Sequence, residues 1–132
     1  MIRVAIADSD EGVHVFIRAL LEAASDMEAV DETFDTNSML ARLRSTQVDI
    51  VMLGLLMTGL HCEGLIRQIK EQRPSLRVIV LTSLATEDAA ARAFKAGASG
   101  FVAKASPADD LLAAIRQVAS GGVYVNLWPP VS

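Results

Sequence analysis

Cysteine is almost absent from this chain: Cys62 stands alone, which excludes an internal disulfide and a cysteine-based zinc cage. Aromatic residues make up only 5% of the sequence. Basic charge is not in excess, since 12 Lys and Arg stand against 16 Asp and Glu for a net charge of −4. That balance, with Lys and Arg scattered rather than clustered, argues against this segment gripping nucleic acid or an anionic membrane by itself. No long hydrophobic run occurs. The longest, Ile50 to Met57, falls far short of the ~20 residues of a membrane helix. The N-terminal apolar stretch stops at Asp8 and does not read as a secretory signal. No internal repeat or low-complexity tract is present. What remains is 132 residues, 52% of them hydrophobic, enough for one domain with a real core and too few for two. The expectation is a soluble, cytoplasmic domain.

Two periods alternate along the chain. Ile2–Ala7 is a short apolar run, rich in β-branched residues and ending at Asp8-Ser9-Asp10, and it reads as a buried strand. Val13, Phe16, Ile17, Leu20, Leu21 and Ala24 follow at helical spacing, with Asp10 as a candidate N-cap. Met27–Thr33 reads as a strand, Ser38–Arg44 as a helix and Asp49–Leu53 as a second strongly apolar strand before a turn over Gly54–Gly59. Leu65, Ile66 and Ile69 mark a helix that stops before Pro74. Arg77–Leu81 is a strand, Glu87–Ala96 an Ala-rich helix capped by Gly97, and Gly100–Ala103 a short strand. The last helix opens at Ser106-Pro107, with proline at the first helical position, and ends at Gly121-Gly122. Five strands alternating with five helices predict an α/β fold, a doubly wound, mostly parallel sheet with helices on both faces.

In such a sheet, ligands gather at the carboxyl ends of the strands, where strand order reverses. The residues there are Asp8, Ser9 and Asp10 after the first strand, Gly54 after the third, Thr82 and Ser83 after the fourth, and Lys104 after the fifth. Their order and spacing, with the stretches VAIADSD, RALLEA, VDIVMLGLLMTG, IRQIKEQRPSLRVIVLTS, AFKAGASGFVAK and LLAAIRQVASGG, resemble the receiver domain of two-component response regulators. The NarL/FixJ (LuxR-type) branch is the nearest in flavour. The resemblance runs from residue 2 to about 123. It implies the flavodoxin-like (βα)5 receiver fold with strand order 2-1-3-4-5 and a receiver-like domain over residues 1–123. Residues 124–132 are expected to be either a free, disordered tail or the start of a linker to an absent C-terminal helix-turn-helix domain.

The family's activity needs an aspartate at the end of the third strand to become an aspartyl phosphate. Two acidic residues after the first strand help hold Mg²⁺, and a Thr or Ser hydroxyl and a Lys ammonium contact the phosphoryl oxygens. This chain departs from the pattern: Gly54 occupies the acceptor position, Ser9 replaces the second acidic residue, and Thr58 stands where a proline is usual. Asp8, Thr82 and Lys104 remain, Asp10 is close by, and Phe101 lies at the aromatic switch position. The resemblance, with these changes, implies a degenerate receiver that is not an enzyme, binds Mg²⁺ weakly or not at all, and acts as a homodimer or through a partner protein or small ligand. The space freed at position 54 is one place for such a ligand. DNA would be bound only through the absent domain. Lys104, without a phosphoryl partner, is expected near Asp8, Asp10 or a strand-end carbonyl. The small residues Ala85 to Ala98 offer one contact face, and the first and last helices another.

Three alternatives stay open. One is an ordinary phosphorylated receiver disabled by a change at Gly54. Another is phosphorylation on Asp8 or Asp10 instead. The third is a haloacid-dehalogenase-type phosphohydrolase with Asp8 as nucleophile. A metal site at His61, Cys62 and Glu63 is disfavoured because adjacent side chains rarely converge on one ion.

Overall fold

Strand and helix alternate from the first residues because the apolar period itself alternates between two and 3.6. A computed structural model of the chain describes residues 1–54 and 62–127. In it, β1 (Ile2–Ala7), β2 (Met27–Thr33), β3 (Ile50–Gly54), β4 (Arg77–Thr82), β5 (Gly100–Ala103) and β6 (Tyr124–Asn126) form one sheet in the order β2-β1-β3-β4-β5-β6. Every pairing is parallel. The helices are α1 (Glu11–Ala23), α2 (Thr36–Leu43), α3 (Cys62–Gln72), α4 (Glu87–Ala96) and α5 (Ala108–Ala119).

Alternation along each central strand sends side chains to two cores. Val4, Ile6, Ile50, Met52, Ile79, Leu81 and Val102 face Ile17 and Leu21 of α1 and Leu111, Ala114, Ile115 and Val118 of α5. Ala5, Ala7, Val51, Leu53, Val78, Val80 and Phe101 face α2, α3 and α4. Both sheet faces are covered, which is why β3 is buried along its whole length.

Three expectations are corrected. The sheet has six strands, not five: Tyr124–Asn126 is not a free tail but a parallel edge strand, with Val125 opposite Phe101. Asn126 Nδ2 also donates to Asp110 Oδ2 at 2.9 Å, tying the strand to α5. Three residues with one exposed valine are too short to show a strand period, so pairing to β5 decides the conformation. Second, the inner stripe of α1 is His14, Ile17 and Leu21, while Phe16 is 51% exposed. Third, α5 starts at Ala108 and Pro107 is its N-cap residue rather than its first helical one.

Elsewhere boundaries move by one or two residues. Asp10 does cap α1, its side chain accepting from the Gly12 N–H. Gly97 takes φ +119° and closes α4 in the left-handed conformation that favours glycine. The expected turn begins on Gly54, which is the last residue of β3; its remainder, with Thr58 and His61, lies outside the described residues, as do residues 128–132. No helix among the described residues is long and apolar enough to cross a membrane.

Candidate functional site at the carboxyl ends of the strands

Strand order reverses between β1 and β3, which makes the carboxyl ends of these two strands the switch point of the sheet. Asp8 and Gly54 stand there side by side, and Lys104 reaches toward them from just after β5. Asp8 is 3% exposed. Its Oδ1 accepts the Asp10 N–H at 2.8 Å, and its Oδ2 lies 3.0 Å from the Lys104 ammonium. The ammonium sits off the hydrogen-bonding direction, so Oδ2 is paired by charge and makes no directed hydrogen bond. Lys104 is itself mostly covered, its side chain 21% exposed. The expected ion pair is present, and the lysine does not swing into solvent.

Gly54 explains where the Asp8 carboxylate rests. A β-carbon added there would collide with Asp8 Oδ2 and fall 2.6 Å from its Cγ. The Asp8 side chain therefore fills the volume that any side chain at position 54 would need. The expectation of freed space for a ligand is corrected accordingly: the space holds the Asp8 carboxylate.

The other expected residues divide. Ser9 and Asp10 are exposed, and the Asp10 carboxylate is engaged with the N-terminus of α1. Thr82 is buried, and its hydroxyl accepts the Leu84 N–H at 2.9 Å within its own loop. Phe101 is fully buried against the α2–α4 side of the sheet. Cys62 begins α3. No group of three His, Cys, Asp or Glu side chains that could hold a metal occurs among the described residues.

Sequence reasoning missed a second set of contacts on Asp8. His14, fully buried, places Nε2 2.7 Å from the Asp8 carbonyl oxygen and Nδ1 2.9 Å from Glu32 Oε1. The ring thus spans the backbone at the end of β1 and the Glu32 carboxylate of β2. Phe34 stacks on the ring at 4.0 Å between centroids. Arg18 makes two further hydrogen bonds to Glu32, at 2.8 and 2.9 Å. The Arg18 hydrogen bond, aided by His14 and only partly opposed by burial, holds the Glu32 carboxyl below its ordinary range. Asp8 is thus fixed from both ends, its carbonyl by His14 and its carboxylate by Lys104. The available signal was a histidine three and seven residues ahead of Ile17 and Leu21, a polar residue on a buried stripe.

A doubly wound parallel sheet with an acidic residue, a hydroxyl and a lysine at three strand ends is the arrangement of a receiver-type domain. The family model described as "Response regulator receiver domain" matches residues 4–116, and the chain belongs to that family. Among curated proteins it is similar to the response regulator protein VraR of Staphylococcus aureus, 29% identical over 120 residues. That match takes in 91% of this chain and 57% of VraR, so the chain spans little more than half of that relative's length. Among solved structures it is similar to a LuxR-family two-component response regulator from Aurantimonas sp. SI85-9A1, with 28% identity, a TM-score of 0.87, and coverage of 93% of this chain and 88% of that one. The isolated REC domain of RcsB from Salmonella enterica serovar Typhimurium, solved with the phosphomimetic BeF3⁻, matches with 26% identity and a TM-score of 0.86 over 95% of this chain and 93% of that one. RcsB in complex with DNA matches with 26% identity and a TM-score of 0.87, over 95% of this chain and 63% of that one.

Proposed function

We propose that this chain is the regulatory receiver module of a transcriptional regulator that works without an aspartyl phosphate. It is not an enzyme, and it signals by association with a second copy, a partner protein or a ligand. The observation that carries the reading is the position of Asp8. A receiver needs a nucleophilic oxygen at the end of β3, and position 54 offers only hydrogen. The volume beside it is closed by a carboxylate already neutralised by Lys104.

Asp8 is a poor substitute nucleophile. One of its oxygens holds the Asp10 N–H and the other faces the ammonium that would have to stabilise an incoming phosphoryl group. The same engagement argues against a phosphohydrolase built on Asp8. Thr82, at the position of the phosphoryl-contacting hydroxyl, and Phe101, at the aromatic switch position, are each held by contacts that need no phosphate. The module therefore rests in one state, and a partner moves it only by binding a second state more tightly.

DNA binding belongs to a domain outside this chain, an assignment suggested by the RcsB–DNA complex among the similar structures. Sedimentation equilibrium tests the proposal. The association constant is expected to be the same with Mg²⁺ and beryllofluoride as without them. A self-association strengthened by beryllofluoride would contradict it.

A further inference from the structure

We infer that Lys104 is the resident cation of the pocket, taking the place that the receiver pattern gives to a divalent metal ion, and that the pocket takes up no Mg²⁺ while Lys104 is in place. The inference rests on the phosphate-free reading above and concerns the charge balance of the same site. Mg²⁺ prefers hard oxygen donors in octahedral geometry, gives up water reluctantly and is usually held by one or two carboxylates. The residues present do not fit it. Ser9 removes one carboxylate, and Asp10 spends its own on the Gly12 N–H. Asp8 alone remains, with one oxygen committed to a backbone N–H and the other 3.0 Å from an ammonium.

The undirected Oδ2 is the one feature that resembles a vacant ligand atom, since it is buried and accepts no hydrogen bond. Charge decides against that reading. Asp8 and Lys104 together are neutral, and a dication entering beside the ammonium would meet repulsion in a poorly solvated site. Room for it would come only by expelling Lys104 or by turning Asp8 away from the Asp10 N–H. Gly54 makes the exchange possible. Without a side chain there, the strand-end volume is open to the Asp8 carboxylate, which rests in it and presents Oδ2 to the lysine.

The logic is reversible: removing the ammonium leaves a buried carboxylate that demands a cation. The test is an NMR titration with Mg²⁺ of the wild-type chain and of Lys104→Ala, following the amide signals of Asp8, Ser9, Asp10 and residue 104. The expected result is no shift in the wild type at millimolar Mg²⁺ and saturable shifts in Lys104→Ala. Lys104→Met, which keeps the apolar stem, serves if the alanine variant fails to fold. Saturable shifts in the wild type would overturn the inference, as would their absence in a folded Lys104 variant. Failure of the phosphate-free reading is distinguishable, because it appears as a covalent mass gain and not as a reversible shift.

Discussion

Gly54→Asp is expected to destabilise the chain by roughly 2–4 kcal/mol, the scale of an overpacked buried site that also gains an unmatched charge. Position 54 is the end of a fully buried strand, and its neighbour in space is the 3%-exposed Asp8 carboxylate. A new side chain there must first push that carboxylate out of the volume it fills, since even a β-carbon would lie 2.6 Å from Asp8 Cγ. It then places a second carboxylate beside the first, with a single ammonium to serve both. Gly54→Ala separates the two causes, because it carries the steric conflict without the charge, and its loss is expected to be smaller. Urea denaturation of the three proteins checks the order. An aspartate variant as stable as the wild type would mean that Asp8 does not rest against position 54.

The second large effect is at Lys104. Breaking a buried ion pair by removing one partner costs about 3–5 kcal/mol, because the remaining charge is left uncompensated. Asp8 meets that condition, but the Lys104 side chain is 21% exposed, and water reaching the vacated place reduces the loss. Lys104→Met is therefore expected to cost about 2–3 kcal/mol. Methionine keeps an unbranched apolar stem at a position that lines a small apolar recess, so the loss reports charge more than contact area. With both partners replaced, Asp8→Ala with Lys104→Met, the combined loss is expected to fall well below the sum of the single losses. A Lys104→Met variant within the error of the wild type would show that the ammonium does not neutralise Asp8.

Much of this arrangement was legible in the residues. The mostly apolar runs Ile2–Ala7 and Arg77–Leu81 announce strands buried on both faces, and the structure places them at β1 and β4, the latter one residue longer. Asp10, Gly97 and the polar residues after each strand mark helix ends and strand ends by local chemistry, which a sequence carries in full. The Asp8–Lys104 pair was also foreseeable, since a lysine at a covered strand end must find a counter-charge.

What the residues did not disclose depends on distant contacts. Tyr124–Asn126 becomes a strand only because β5 presents an open parallel edge. His14 falls on the inner stripe of α1 with no partner that spacing reveals, until β2 brings Glu32 to one ring nitrogen and the end of β1 brings a carbonyl to the other. Phe16 has the spacing of a core residue, yet lies half exposed beside a small apolar recess shared with Ala103, Pro107 and Leu111 of the α5 side. Above all, the glycine suggested an empty place, and its occupation by the neighbouring Asp8 carboxylate has no trace in one-dimensional spacing.

Intact-mass spectrometry after incubation with Mg²⁺ and a small-molecule phosphodonor puts the central claim to its most direct trial. The account predicts an unchanged mass, with no hydroxylamine-sensitive adduct. A stoichiometric phosphoryl gain that mapped to Asp8 or Asp10 would contradict it.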